Sequence, residues 1–191
     1  MSRLILSPYT ADDEWSGEAL LLESSVLDSP ENCDRILRSI ADNTFIVIQD
    51  LVSPTITRFI PLEDEKIRIG FQTCFAERSK KAAELGITEF SLSFDLERAA
   101  EDAEFCDALK VVLQSVAGIL SQFRMRLLLT AHLPSDGAAD GAWLAQFRQD
   151  LLLPNVGFLL ELHDNDEAIL EPLRFYSDRI VKREHRADVT L

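Results

Sequence analysis

Groups able to bind a metal or move a proton crowd the end of one apolar run. In "NVGFLLELHDND", residues 155–166, five residues suited to a buried strand are followed by Glu161, Leu162, His163, Asp164, Asn165 and Asp166. Neutral imidazole and carboxylate are good ligands for a divalent ion, and both can act as acids or bases near neutral pH. The chain has three histidines, His132, His163 and His185, and each falls at or near the end of an apolar run. The run "ALLLE" likewise closes on Glu23. A carboxylate inside the end of an apolar strand is costly to bury unless it is paired or hydrogen-bonded. Glu161 therefore has two readings, a site role or a structural salt bridge with a base such as Arg126 or Lys182. Asp164 and Asp166 also read as loop and cap residues ahead of "EAILEPL", because aspartate stabilises a helix N-terminus.

The elements that must position these groups are legible in outline. Strands are expected at Leu4–Ser7, Ala19–Glu23, Thr44–Gln49, Glu89–Phe94, Met125–Ala131, Val156–Leu162 and, more weakly, Arg179–His185. Most are continuous apolar runs, the pattern of strands buried on both faces of a parallel sheet. Helical patterns lie between them. Ser29 and Pro30 suit the start of one with Ile36, Leu37 and Ile40 on its stripe, and Ile67, Phe71, Cys74, Phe75, Ala82 and Leu85 share a face before Gly86, a C-cap residue. "IRIGF" also alternates as a strand would, leaving the start of that helix open. Leu96–Phe123 reads as one long helix with Phe105, Leu109, Val112, Val116 and Ile119 inward, and Ala142–Leu152 as a shorter one ahead of Pro154. Strand and helix in alternation give right-handed βαβ units, so one α/β domain over residues 1–191 is expected. Only residues 10–17 separate the first two strands, which is short for a crossover, so that first unit is abbreviated or not parallel.

Within this pattern, residues 76–166 resemble the xylose isomerase-like TIM barrels, a group that includes sugar-phosphate isomerases and epimerases and the family 2 AP endonucleases. The pieces that carry the resemblance are "KKAAELGITEFSLSFD", "ILSQFRMRLLLTAHLP" and "LLLPNVGFLLELHDND", similar to the approaches to the fourth, fifth and sixth barrel strands. The resemblance implies a divalent metal, Mn, Zn or Mg, held by Glu, Asp and His at the C-terminal ends of the strands. It places Glu161 at the end of the sixth strand with His163 beyond it, both as catalytic candidates. His185 and Asp188 reproduce a His-x-x-Asp pattern in "HRAD", and Glu23 stands where an early Glu is common. Glu23, His132, Glu161, His163 and His185 are thus the candidate metal ligands, with Arg183 and Asp188 as candidate substrate contacts. One departure is plain: where the resemblance implies a Glu near the end of the fifth strand, this chain has Thr130 and Ala131 before His132. A complete eightfold barrel takes about 250 residues, so this 191-residue chain should form an incomplete or abbreviated barrel of six or seven mainly parallel strands. An incomplete one would leave an edge that a homodimer could cover.

Composition narrows the partners. A net charge of −14 argues against nucleic acid, whose phosphates need clustered Lys and Arg. The charge is uneven: before Arg35 one base faces eight acids, whereas Arg179, Lys182, Arg183 and Arg186 crowd the other end, where they could hold a phosphate or pair with acidic neighbours. No apolar run is long enough to cross a bilayer and Met1–Pro8 lacks the pattern of a secretory signal, so a cytoplasmic location is the expectation. Cys33, Cys74 and Cys106 are widely spaced, as reduced and buried thiols would be. Trp15 and Trp143 read as packing residues. There is no dinucleotide-binding glycine loop, P-loop or nucleophile elbow, so no nucleotide cofactor is expected. Two functions follow: a sugar or sugar-phosphate isomerase or epimerase that uses a divalent metal, or a barrel that has lost catalysis and serves as a binding or assembly subunit.

Overall fold

The structure is a computed structural model that describes residues 4–8, 19–23, 27–29, 31, 34, 45–49, 61–133, 138–163 and 177–183. Residues 4–8, 19–23, 45–49, 132–133, 138–140, 161–163 and 177–183 are placed by their backbone alone. Seven strands form the sheet: β1 (Leu4–Pro8), β2 (Ala19–Glu23), β3 (Phe45–Gln49), β4 (Glu89–Leu92), β5 (Arg126–Leu133), β6 (Val156–His163) and β7 (Ser177–Arg183). Every neighbouring pair is parallel, including β1 with β2, which settles the orientation of the first unit despite its short connection. The order runs β1 to β7 around a closed ring, with Leu4, Ile5 and Leu6 of β1 paired to Arg179, Ile180 and Val181 of β7. Of the two forms left open by chain length, the abbreviated one is observed. The ring is one strand short of eight, and each described strand is paired on both sides.

Among the described residues, four helices pack outside the ring: α1 (Glu65–Glu84), α2 (Leu96–Glu101), α3 (Ala103–Phe123) and α4 (Ala138–Leu151). The Asp64 carboxylate accepts hydrogen bonds from the backbone N–H groups of Lys66 (2.9 Å) and Ile67 (3.4 Å), which starts α1 ahead of "IRIGF" and makes that stretch helical. Gly86, at φ 76°, ends it, and the Gly86 and Ile87 N–H groups cap the carbonyls of Ala83 and Ala82. The inward stripe of α1 is Phe71, Phe75, Ser79 and Ala82. Ile67 and Cys74, expected on that stripe, are exposed, because the helix turns them to its flanks. Cys106 is half-buried, and Cys33 lies outside the described residues.

The long helix expected at Leu96–Phe123 is broken at Asp102. This residue is extended (φ −116°, ψ 102°), ends α2, and caps α3 by accepting from the Phe105 N–H at 3.0 Å. A capping carboxylate gives the chain a local alternative to continued helix, a choice that hydrophobic periodicity does not register. Arg98 fastens the corner. Its guanidinium pairs with Glu63 and Asp102 and lies 4.2 Å from the centre of the Phe105 ring. Of the expected inward positions of α3, Phe105, Leu109, Val112 and Val116 are buried, and Ile119 is partly buried against the same core. The helix expected after Ser29 lies largely outside the described residues, although Glu31 and Asp34 have helical backbone.

The core fills the layer between strands and helices. Phe90 of β4 is fully buried and meets Phe75 of α1 edge-to-face at 5.3 Å, and Phe71 meets Phe94 in the same way at 5.9 Å. Trp143 stacks on Phe147 of α4 and packs against this core, as expected of a packing residue. Phe90→Ala should remove about 3 to 5 kcal/mol of stability, read as a lower urea midpoint at unchanged slope. Asp102 supplies a pH prediction. The Phe105 N–H, and then Arg98, hold its carboxyl below the usual carboxylate range. Its contribution is therefore present above the unfolded-state value and is lost as pH falls through the folded-state value. Acid unfolding of Asp102→Ala should begin at higher pH than wild type but lack this component of the acid limb, as circular dichroism against pH would record.

Candidate functional site

In a parallel barrel all strand C-termini share one mouth, and here that rim carries Glu23, Gln49, Leu92, Leu133, His163 and Arg183 as last strand residues, with β1 ending at Pro8. The two faces of the strands can be told apart by what they touch. Leu127, Leu129 and Ala131 of β5 and Val156, Phe158 and Leu160 of β6 belong to the core packed against the helices. Leu128 and Leu159 are equally buried but stand outside that cluster. Alternation along the strands assigns these to the barrel interior, and with them Thr130 of β5 and Glu89 and Ser91 of β4.

Register then places the candidate residues. His132 of β5 is level with Glu161 of β6, which is level with Val181 of β7, and His163 is level with Arg183. Adjacent strands lie about 4.8 Å apart, so the His132 and Glu161 positions are next neighbours at the mouth, one strand step above Thr130 and Leu159 on the same face. Glu23 ends β2, three strands from β5 and three from β6 around the ring, and so stands across the mouth from them. His185 and Asp188, and also Asp164, Asp166 and Trp15, lie outside the described residues. The structure thus brings together His132, Glu161, His163 and Arg183 by backbone position and sets Glu23 opposite.

The same register removes one alternative for Glu161. Arg126 starts β5, six residues before His132, which is about 20 Å along a strand. It pairs instead with Glu89 at the opposite end of the barrel, Nη1 to Oε1 3.5 Å, the two being level in β4 and β5. Glu89 is a buried charge that sequence reading passed over. The signal was present, a carboxylate opening a strand one residue after Thr88, but its partner comes from a strand 37 positions later and only the register joins them.

A divalent ion fits part of this donor set. An imidazole position and a carboxylate position side by side, with a second imidazole position two residues on, are of the type that holds Zn or Mn. Among the described residues no group of three potential metal ligands is found; His132, Glu161 and His163 are placed by their backbone alone. On β5 the residue below His132 on the interior face is Thr130, where the resemblance implied a Glu nearby. Thr130 is 2% exposed, and its Oγ1 has no hydrogen-bond partner among the described residues. An unsatisfied buried hydroxyl costs about 1 to 3 kcal/mol, so a polar atom at the floor of the mouth is retained against stability. Of the described cysteines neither stands on a strand end: Cys74 is on α1, and Cys106 is on α3, where partial burial pushes its thiol pKa up.

No protein-family model matches the chain, and neither does any curated protein sequence. Solved structures do match in shape. A xylose isomerase domain protein from Planctomyces limnophilus superposes with a TM-score of 0.62 at 14% identity, over 93% of this chain and 72% of that one. The 3-keto-D-glucoside 4-epimerase of E. coli gives 0.62 at 12% identity, over 95% of this chain and 92% of that one. D-psicose 3-epimerase from Clostridium cellulolyticum H10, solved with D-tagatose, gives 0.62 at 12% identity, over 95% and 84%. Likeness at such identity is one of fold, and the fold is a parallel TIM-type barrel.

The Glu89–Arg126 pair generates a stability prediction. Arg126 is 37% exposed, which weakens the pair by solvent screening, while Glu89 is 8% exposed and would lose this ion pair in a buried setting. Arg126→Met should cost about 1 to 3 kcal/mol, measured by urea unfolding, without altering ligand binding at the far mouth.

Proposed function

We propose that the chain is a sugar or sugar-phosphate isomerase or epimerase that works with a divalent metal at the C-terminal mouth of the barrel. The observation that carries this reading is the register of His132 with Glu161 on adjacent strands, on the face of the buried, unpartnered Thr130 hydroxyl. The fold supports it, since sugar epimerases share this architecture. His132, Glu161 and His163 would hold the ion, with Glu23 and His185 as further ligands. Bound there, the ion would act as a Lewis acid toward a carbonyl or hydroxyl oxygen of the sugar.

Glu161 is the base of this proposal. Its carboxylate takes the proton from the carbon beside the carbonyl and, for isomerisation, returns it to the neighbouring carbon, so that no electrons leave the substrate; epimerisation would need a second acid on the opposite face to reprotonate that carbon. His163 steadies or exchanges the proton on the adjacent oxygen. Arg183, level with His163, and Asp188 orient the rest of the ligand, Arg183 being suited to a phosphate. One observation favours the second reading, a barrel that binds without catalysis: the interior position of β5 beneath the mouth carries Thr130 in place of a carboxylate.

Elemental analysis of the purified protein and calorimetric titration with Mn²⁺ and Zn²⁺ separate the two. A stoichiometric metal and a measurable heat are expected; neither metal nor heat near neutral pH would leave only the binding reading. Glu161→Ala should weaken Mn²⁺ binding by roughly tenfold or more with the urea midpoint nearly unchanged. If Glu161 is instead a structural partner of a base within the fold, the variant would lose about 3 to 5 kcal/mol of stability and leave metal affinity alone.

A further inference from the structure

In the described part of the barrel interior, on β4, β5 and β6, small and polar residues share the space beneath the mouth with leucines. Barrel interiors are normally filled by bulky branched side chains. Ser91, Leu128 and Gly157 are level with one another across these three strands, so one large apolar side chain stands between a serine and a residue with no side chain. Two residues further along, Thr130 stands beside Leu159, and beyond them come the His132 and Glu161 positions.

Thr130 is the decisive member. It is buried, yet its Oγ1 has no partner among the described residues, and its strand neighbours Leu129 and Ala131 face the helices. Valine has the same shape and a higher strand propensity and would leave no polar atom unmet. Packing therefore gives no reason for a hydroxyl at this position. A ligand group arriving from the mouth does, since a hydroxyl can both donate to and accept from another hydroxyl.

We infer that Thr130 is a ligand-contacting residue, the floor of the mouth, whose Oγ1 hydrogen-bonds a hydroxyl of a polyhydroxy ligand seated between it and the His132–Glu161 rim. This rests on the carbohydrate reading of the site and adds to it the depth to which the ligand reaches and the residue that selects hydroxyl-bearing carbon at its buried end. A deoxy analogue at that carbon would leave the Thr130 hydroxyl unmet again, so it would bind less well.

The test compares wild type, Thr130→Val and Thr130→Ser by thermal unfolding in the presence of Mn²⁺, with and without D-tagatose, D-fructose and D-xylose at tens of millimolar. Without sugar, Thr130→Val should unfold at the wild-type temperature or about 2 to 4 °C higher. The sugar-induced rise in Tm seen in wild type should be lost or at least halved in Thr130→Val and kept in Thr130→Ser. A fall of several degrees in sugar-free Thr130→Val, or a sugar response equal to wild type, would overturn the inference while leaving the site reading intact. A wild-type protein that responds to none of the three sugars would instead remove the carbohydrate reading, and the inference with it.

Discussion

Closure of the ring is the constraint on which everything else rests. A parallel sheet has a backbone donor and acceptor to satisfy at every residue of its edge strands, and an apolar edge strand invites pairing with another chain. Pairing β1 with β7 satisfies both edges at once and removes the need for an eighth strand. Once the ring is closed and every pair is parallel, the strand C-termini have no freedom but to gather at one end. The site follows from this: residues separated by more than a hundred positions, such as Glu23 and His132, come to one rim because their strands end there.

The described part of the barrel interior holds two kinds of buried polar group. At the N-terminal end Glu89 and Arg126 face one another in register, so a buried carboxylate is matched within the fold. Toward the C-terminal end, beneath the His132 and Glu161 positions, the Thr130 hydroxyl has no partner among the described residues.

Outside the ring, the described helices owe their boundaries to carboxylates as much as to apolar stripes. Asp64 opens α1, Asp95 opens α2, and Asp102 both closes α2 and opens α3. Arg98 then joins Glu63 before α1 to Asp102 after α2. These bonds tie the segment before α1 to the corner between α2 and α3. They are exposed interactions, and the large aromatic contacts between Phe75, Phe90, Phe71 and Phe94 supply the cohesion beneath them.

The sequence by itself determined the kind of fold. Continuous apolar runs alternating with 3.6-period stripes require a parallel sheet wrapped by helices, and all seven strands were legible to within a few residues. It also determined which residues could do chemistry, because imidazole and carboxylate at the ends of apolar runs stand out in any conformation. Tertiary structure alone decided the rest. Ring closure depends on β1 finding β7, a pairing across most of the chain that no local pattern encodes. The break at Asp102 depended on a hydrogen bond, and not on periodicity. Whether Arg126 serves Glu161 or Glu89 was undecidable from spacing, since both are acids near apolar runs; register fixed it by putting one level with the arginine and the other about 20 Å away. Thr130, which in the sequence is only the residue that is not a glutamate, gains meaning once burial and an unanswered hydroxyl are seen together, because those are properties of surroundings that the chain assembles from distant parts.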